Sequence, residues 1–401
     1  MIIESIKKNI TEDKVVLSCI VKFEKQEREE SLFFSYPKQF ADYVTETADA
    51  FFPAILIPAM ELKERIKIIP PISSKMMKNQ FIIQDVFATW FKGKFFHIDI
   101  EAANQYTNPQ SAPKGNATFF SLGVDSMYSM LKYLPKNQKD ADKLLTSLIY
   151  MKGLELPLSV YKKGQDKAVI DKIEELARHY QLELIVGETN IRDVFPLDWE
   201  EHYFGPGLAA TALSLSGGFR NFNIPSSNTY STLFHDPSSP LLDSLWSNES
   251  TFLFHDGSET ERAEKLAGLI ASDPLALNSL RVCIDNEGGI HNCGKCWKCV
   301  RTMITLDIIG KLKECTSFPD KLPKSYSILL RTFNDDSWEF TSENLRLAQK
   351  HNRRDYEKTL RRELRVGRLD MFREGKSMRY LLNELVHYFY VKAARKLGFF
   401  S

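Results

Sequence analysis

Four cysteines in the last third of the chain have the spacing of a metal site. They are Cys283, Cys293, Cys296 and Cys299, within the segment CIDNEGGIHNCGKCWKC. Two overlapping Cys-x-x-Cys steps and a cysteine upstream can place four thiolates tetrahedrally around one Zn²⁺ at about 2.3 Å. Gly294 allows a tight turn, and a helix is predicted from near Lys298. An iron–sulfur cluster and free thiols are the alternatives for this spacing. The sequence predicts a structural zinc site.

The hexapeptide Ser-Leu-Gly-Val-Asp-Ser at 121–126 has residue types suited to binding a polyphosphate. It lies between a predicted strand and a predicted helix, whose first N–H groups and positive dipole end attract anions. Ser121 and Ser126 add hydroxyl donors, Gly123 permits close approach, and Asp125 can hold the Mg²⁺ that accompanies ATP. A polar turn without a ligand is the alternative.

The elements that position these residues alternate between strand and helix. A helix is predicted directly after the hexapeptide. Apolar runs lie at 117–121, 144–151, 182–188, 219–227 and 251–257, and helical patterns lie at 164–180, 205–217 and 259–271. This alternation predicts an α/β fold with a parallel sheet and crossover helices. Ligands of such sheets bind at the carboxyl ends of the strands, where the hexapeptide is placed.

The regions before and after this α/β segment differ from it in pattern. Two strands, KVVLSCIVKF and SLFFSY, helices at 49–63 and 74–91, and an edge strand at 94–102 predict an N-terminal α+β accessory domain over residues 1–110. Residues 103–116 have the composition of a linker. Residues 317–401 are predicted to be helical and rich in Arg, with acids interspersed at helical spacing, which favours a solvated helix face over a phosphate-binding surface.

The composition places the chain among ordinary globular proteins. It has 401 residues, a net charge of +1, and 43% hydrophobic residues. The charge gives no polyanion signature, so a nucleic-acid partner is not expected. No apolar stretch is long enough for a membrane span and the N-terminus lacks a secretory pattern, so we expect no membrane partner and a cytoplasmic location.

The hexapeptide resembles the Ser-Gly-Gly-x-Asp-Ser loop of the N-type ATP pyrophosphatases, the PP-loop superfamily. Leu122 stands where that family has its first glycine, and we expect it to keep ordinary backbone dihedrals with its side chain turned away from the nucleotide. The loop followed by Cys-x9-Cys-Gly-x-Cys-x-x-Cys looks like the QueC family, the 7-cyano-7-deazaguanine synthases. The resemblance covers 115–312 and implies a Rossmann-like, adenine nucleotide alpha hydrolase-like domain with a zinc knuckle.

This resemblance implies a ligase that forms a C–N bond at the expense of ATP. Enzymes of the family adenylate a carboxylate, 7-carboxy-7-deazaguanine, release pyrophosphate, and let ammonia displace AMP; a second ATP turns the amide into a nitrile. Carried over, ATP and Mg²⁺ are held by Ser121, Leu122, Gly123, Val124, Asp125 and Ser126, with Asp125 and Ser126 as the catalytic pair. Gly153 follows the second strand of the domain, where the superfamily holds adenine.

The residues that bind the carboxylate substrate are expected at the remaining strand ends. The candidates are Asn190, Arg192, His202, Ser226 and Ser227. Each has a plain alternative in turn or cap chemistry. Arg262 and Lys265, in the first turns of a later helix, either neutralise phosphate or belong to a surface face.

The chain departs from the compact single domain of the QueC family. It has about 110 residues before the resembling region and about 85 after it, which favours an acceptor larger than ammonia or a partner protein. QueC-like proteins with extra regions occur in antiphage defence islands and in polysaccharide gene clusters. Our hypothesis is a QueC-like, ATP-dependent ligase or conjugating enzyme of either branch, with a protein partner in antiphage defence as one acceptor. A tRNA-modifying PP-loop enzyme and a catalytically inactive, zinc-stabilised nucleotide-binding module are the alternatives.

Overall fold

The computed structural model describes residues 1–109, 112–113, 115–162, 164–285, 289–324, 326–330 and 335–371. The strands are β1 (Ile2–Ile10), β2 (Lys14–Phe23), β3 (Arg28–Pro37), β4 (Ile66–Ile68), β5 (Ile72–Ser73), β6 (Ile100–Ala102), β7 (Gln105–Tyr106), β8 (Gly115–Phe119), β9 (Ser147–Lys152), β10 (Glu183–Thr189), β11 (Phe219–Pro225) and β12 (Phe252–Asp256). The helices are α1 (Phe52–Leu62), α2 (Ser74–Trp90), α3 (Val124–Lys132), α4 (Lys167–Tyr180), α5 (Ile191–Val194), α6 (Phe204–Ser214), α7 (Arg262–Lys265), α8 (Pro274–Asn278), α9 (Trp297–Ile308), α10 (Tyr326–Leu329), α11 (Asp335–Lys350) and α12 (Arg354–Met371).

The chain divides into two compact units. The first consists of residues 1–121 and 129–259, and the second of residues 122–128 and 260–401, of which the last described residue is 371. The predicted boundary near residues 110–115 does not coincide with a boundary between these units. The reason is that the N-terminal strands hydrogen-bond to strands of the predicted α/β segment.

The first unit contains a ten-stranded mixed sheet, most of whose neighbouring pairs are parallel. The strand order is β12-β11-β8-β9-β10-β3-β2-β1-β4-β6. The five strands β8 to β12 pair with one another in parallel orientation, as the strand–helix alternation predicted. The two strands predicted near the N-terminus are present as β2 and β3, which form an antiparallel hairpin with registered pairs from Lys14↔Pro37 to Phe23↔Arg28.

The hairpin joins the parallel strands through β3. This strand pairs with β10 in antiparallel orientation at Glu188↔Ser35 and Thr189↔Phe34. β2 then buries alternate residues from Val15 to Phe23, which is the period-two pattern of a strand with one face on the core. The predicted small α+β domain is therefore continuous, through one sheet, with the α/β segment.

Two elements of the N-terminal region differ from the sequence prediction. β1 was not predicted, because its register is interrupted by an irregularity between Glu4 and Lys7 that breaks the alternation of apolar residues. The predicted strand at 94–102 is shorter, and only Ile100–Ala102 pairs, with β4, at the edge of the sheet. The predicted linker 103–116 includes β7, which forms a two-stranded parallel pair with β5.

A buried carboxylate fixes this two-stranded pair. Asp49 is fully buried, and its side chain accepts hydrogen bonds from the Ser73 N–H at 2.9 Å, the Asn248 amide at 2.7 Å and the Tyr106 hydroxyl. Burial raises the pKa of Asp49 to about 6, against the opposing effect of these hydrogen bonds.

The second unit is helical over most of its described residues. Apolar side chains of α9, α11 and α12 form its core, with Val300, Ile304, Leu347 and Leu360 almost fully buried. Several basic residues of the predicted C-terminal helical region are paired with acids; the Arg353 guanidinium, for example, lies 2.9 Å from the Asp307 carboxylate and 2.7 Å from that of Asp355. These ion pairs favour the expected charged helix face. The remaining Arg-rich residues, 372–379, lie outside the described residues.

Within the described part of the chain, none of the helices combines the length and the apolar character that a bilayer crossing requires.

Candidate functional site

The turn before α3 has an unusual backbone conformation. Leu122 has a φ of 66°, in the left-handed region, and its side chain is fully buried. The expectation that a leucine here keeps ordinary dihedrals is therefore wrong. A left-handed conformation costs a residue with a Cβ atom about 1–2 kcal/mol, and burial of the side chain offsets that cost. The backbone at position 122 is one for which glycine is the usual residue.

The helix α3 begins directly after this turn. The Met127 N–H donates to the Gly123 carbonyl at 2.9 Å, the first helical hydrogen bond, and the Ser126 hydroxyl donates to the same carbonyl at 3.1 Å. Asp125 and Ser126 are therefore in the first turn of α3, where the helix dipole favours a negative ligand.

Two cations surround the Asp125 carboxylate. Its oxygens lie 3.1 Å from Arg262 Nη1 and 3.5 Å from Lys265 Nζ. Lys265 is fully buried, and the side chains of Asp125 and Arg262 are 13% and 14% exposed. The alternative of a surface face for Arg262 and Lys265 is thus wrong, because both lie largely out of solvent beside the first turn of α3.

A second acidic residue faces the helix that carries these cations. Glu343 of α11 is almost fully buried, and its carboxylate accepts a hydrogen bond from the Ala263 N–H at 3.1 Å, in the first turn of α7. Burial raises the pKa of Glu343 to about 7. A cavity of about 20 Å³ lies among Val124, Arg262 and Glu343, which is room for about one water molecule.

The four predicted metal ligands are brought together. The Sγ atoms of Cys283, Cys293, Cys296 and Cys299 all lie within 4.8 Å of one another, and those of Cys293 and Cys299 are 3.8 Å apart. A regular tetrahedron with Zn–S bonds of about 2.3 Å has sulfurs about 3.8 Å apart. The donor set and its spacing therefore fit a single structural metal ion such as Zn²⁺.

Backbone N–H groups support the sulfurs. Those of Lys295 and Cys296 point at Cys293 Sγ, at 3.3 and 3.2 Å, and that of Cys299 points at Cys296 Sγ at 3.4 Å. Hydrogen bonds from the Cys283, Cys296 and Cys299 thiols lower the pKa of Cys293 well below its usual value. A thiolate is the form that binds a metal.

Gly294 makes the turn between these ligands, as predicted. Its φ is 67°, and a Cβ atom there would lie 2.6 Å from Cγ of Pro319.

Gly153 and Arg192 lie together at the carboxyl ends of β9 and β10. Gly153 has a φ of 91°, and a Cβ atom there would lie 1.8 Å from the Thr189 carbonyl oxygen. Arg192 donates to the carbonyls of Leu154 and Glu155, which fixes the turn that follows Gly153. Burial lowers the pKa of Arg192. This guanidinium therefore shapes the turn after β9.

The other two candidates from this half of the sheet make contacts within the protein. The Asn190 side chain accepts from the Phe33 N–H at 2.9 Å and donates to the Ser31 carbonyl at 2.7 Å, which extends the pairing of β10 with β3. The His202 ring packs against those of Phe91 and Phe95, with centroids 4.7 and 5.4 Å apart. Burial, followed by the charge of Lys94, lowers the pKa of His202. Their assignment to a substrate stays a prediction.

Ser226 and Ser227 follow β11, as predicted. The Ser226 hydroxyl is buried, donates to the Asn228 carbonyl at 2.7 Å and accepts from the Ser258 hydroxyl at 2.9 Å. Its N–H donates to the Asp256 carbonyl at 2.7 Å, so the ends of β11 and β12 are joined. Ser227 is partly exposed beside it.

Sequence reasoning missed a buried polar cluster at the end of β12. The Asp256 carboxylate, fully buried, accepts from Ser129, from Lys132 Nζ at 2.7 Å and from the Tyr133 hydroxyl at 2.8 Å. The sequence did contain an indication of this cluster, because polar residues at positions 129, 132 and 133 share one face of a helix. Asp256 falls within the apolar run at 251–257, which predicts a strand but indicates no role for the acid.

The comparisons with known proteins give no match: none was found among protein-family models, curated proteins or solved structures. The family is therefore not shown by similarity, and what can be said of function rests on the four-cysteine cluster, the strand order and the contacts described above.

Proposed function

We propose that this chain is a QueC-like, ATP-dependent ligase that adenylates a carboxylate, 7-carboxy-7-deazaguanine or a similar 7-deazapurine, and couples it to ammonia or an amine. The observation that supports this most is the turn before α3. It has a left-handed residue, Leu122, where the PP-loop motif has glycine, and it leads into a helix whose first turn contains Asp125 and Ser126. A conformation that glycine normally supplies is thus retained without glycine.

The strand order is a second support. Counted from β8 as the first strand, the five parallel strands have the order 5-4-1-2-3. This is the order of doubly wound sheets, which bind nucleotides where the order reverses, beside the first strand. β8 ends at Phe119, and the chain runs from there into the turn at Leu122. We therefore propose that these five strands belong to a Rossmann-like, adenine nucleotide alpha hydrolase-like domain.

The residues of the turn and of α7 have distinct roles in the proposed reaction. N–H groups at the start of α3 and the hydroxyls of Ser121 and Ser126 bind the phosphates of ATP. Asp125 would hold the Mg²⁺ that accompanies ATP, and to do so it would give up part of its pairing with Arg262 and Lys265. These two cations are then available to the pyrophosphate as negative charge develops on it. The Mg²⁺ that accompanies ATP supplies further charge neutralisation when bound.

The water-sized cavity beside Val124 gives this proposal a physical requirement. A phosphate group needs more room than about 20 Å³ offers. ATP binding at this place therefore requires the Arg262 side chain to move from Asp125. Arg262 is held to Asp125 by an ion pair, and Glu343 lies near the start of α7, the helix that carries Arg262. This arrangement allows the guanidinium to exchange one anionic partner for another.

The proposal is tested by incubating the purified protein with ATP, Mg²⁺, ammonium and 7-carboxy-7-deazaguanine, and measuring AMP and pyrophosphate. We expect both products from the unaltered chain and a loss of at least about 100-fold in Asp125→Ala. Asp171→Ala is the matched control, because Asp171 is an exposed acid of α4 paired with Lys167. Formation of ADP alone, or equal rates in both variants, would contradict the proposal.

The two alternatives give different outcomes in the same assays. A tRNA-modifying PP-loop enzyme is indicated if the four cysteines bind iron with a visible absorption band. A catalytically inactive module is indicated if ATP binds, by calorimetry, and no pyrophosphate is released. The ion pairs that engage Asp125 are the observation that favours the inactive module.

A further inference from the structure

A single asparagine joins the two arms of the four-cysteine cluster. Asn292 precedes Cys293 and is 5% exposed. Its side-chain oxygen accepts from the Val282 N–H at 2.8 Å, and its amide group donates to the carbonyls of Leu280 at 2.8 Å and Ser317 at 3.0 Å. Val282 precedes Cys283 in the same way that Asn292 precedes Cys293. The side chain therefore ties the segment that carries Cys283 to the segment that carries Cys293, Cys296 and Cys299.

The segment 280–282 that Asn292 holds is also bonded to the turn before α3. The Arg281 N–H, between Leu280 and Val282, donates to the Leu122 carbonyl at 2.9 Å. The Arg281 side chain donates to the Gly289 carbonyl at 3.0 Å, in the chain that leads to Asn292. Metal ligands, Asn292, residues 280–282 and Leu122 thus form a continuous series of hydrogen-bonded and covalent links within the second unit.

The hydrogen bond from Arg281 can influence the conformation of the turn because the backbone of Leu122 is strained. Its left-handed backbone is unfavourable for a residue with a Cβ atom and persists only where the surroundings hold it. The bond from Arg281 fixes the carbonyl of this residue, and the net contribution of one hydrogen bond is of the same order as that strain. The restraint and the strain are of similar size, so loss of the restraint shifts the conformation of the turn.

We propose that Asn292 is a positioning residue that couples metal binding at the four cysteines to the conformation of the turn at Leu122. In the proposed function the turn binds the phosphates of ATP, and to that extent the inference rests on it. By thermodynamic reciprocity, a metal that orders the turn raises ATP affinity, and ATP retards release of the metal by the same factor. Asn292 does not touch the nucleotide and acts through Arg281.

The first test needs no ATP. Hydrogen exchange of the amides of residues 122–128 is followed by mass spectrometry in the zinc-loaded protein, with and without a chelator. We expect chelation to accelerate exchange roughly tenfold, as the loss of one to two net hydrogen bonds implies. In Asn292→Ala we expect fast exchange with zinc still bound, and little further change on chelation.

The matched control is Asn278→Ala. Asn278 also ties a segment of the second unit to the turn near Ser317, because it donates to the Pro274 carbonyl at 2.8 Å and accepts from the Thr316 N–H at 2.6 Å. It makes none of the bonds to residues 280–282. We expect it to lower stability without changing exchange at 122–128 or its response to the chelator. Exchange at 122–128 that ignores chelation, or an equal response in both variants, overturns the proposal.

The second readout is the linkage with ATP. In the unaltered protein we expect ATP and Mg²⁺ to slow zinc transfer to a colorimetric chelator, and in Asn292→Ala we expect no slowing. If Asn292→Ala loses its zinc, its ATP affinity should equal that of the unaltered protein after chelation. An ATP affinity in either protein equal to that of the zinc-loaded, unaltered protein overturns the coupling. If the unaltered protein binds no ATP, the proposed function fails, while the exchange experiment still decides the coupling.

Discussion

The left-handed backbone at Leu122 predicts an inverted order of two substitutions. Leu122→Ala removes most of a fully buried side chain and keeps a Cβ atom in a strained conformation. We expect it to lower the free energy of unfolding by about 2–5 kcal/mol. Leu122→Gly removes one more carbon but adopts a φ of 66° without strain.

The magnitude follows from two opposing effects. Release of the left-handed strain stabilises the glycine variant by about 1–2 kcal/mol relative to alanine. The greater freedom of glycine in the unfolded chain offsets about 0.5–1 kcal/mol of this. Leu122→Gly should therefore be more stable than Leu122→Ala by about 0.5–1 kcal/mol, although glycine is ordinarily the less stable of the two.

Leu306 provides the matched control. It is a fully buried leucine in the helix α9 of the same unit. There glycine should be less stable than alanine by about 1 kcal/mol, the usual helical penalty. Urea unfolding followed by tryptophan fluorescence gives the midpoints of all four variants. If Leu122→Ala is more stable than Leu122→Gly, the assigned backbone strain is absent and the comparison of this turn with the PP-loop is without support.

Three further predictions concern the metal, a glycine and a buried acid. The protein should contain one zinc per chain, and Cys293→Ser should lower zinc affinity by about 100-fold or more in a chelator competition, because it removes a ligand from a four-thiolate set. Gly153→Ala should lose at least about 2 kcal/mol of stability, because its Cβ atom meets the Thr189 carbonyl, while Gly164→Ala, with a φ of 78° and no atom within 4 Å, should lose only about 1 kcal/mol; equal losses in thermal unfolding would contradict this. Asp49 has a pKa of about 6, raised from 3.8, so its contribution to stability is present below about pH 4 and lost as pH rises through about 6, by about 3 kcal/mol in all. Asp49→Asn should remove that part of the pH dependence of the urea midpoint, and an unchanged pH profile would show that the carboxyl group does not titrate this way.

The elements with simple periodicity were predictable from the sequence. α2 spans Ser74–Trp90 against a predicted 74–91, and β10 spans Glu183–Thr189 against a predicted apolar run at 182–188. In both, burial on one face repeats at the period of the element, which is a local property of the sequence. The four-cysteine cluster was predictable for a similar reason, because two of its steps are only three residues long.

Other features depend on contacts between residues far apart in sequence. The pairing of β3 with β10 joins segments that have no common pattern, so a separate N-terminal domain was the natural prediction. The conformation of Leu122 was predicted wrongly because propensity opposes it, and tertiary contacts such as the bond from Arg281 override propensity. The burial of Arg262 and Lys265 followed from packing in the second unit, which the spacing of charges does not encode.

The junction of β3 with β10 has a consequence for how the protein is made. About 150 residues separate the two strands along the chain, so a ribosome adding about 5–20 residues per second releases β10 about 7–30 s after β3. During that interval the edge of β3 has no neighbour, and a bare strand edge invites association between nascent chains. The hairpin of β2 and β3 therefore has one unpaired edge until β10 has been translated. Expression at lower temperature or with chaperones should favour correctly joined sheets.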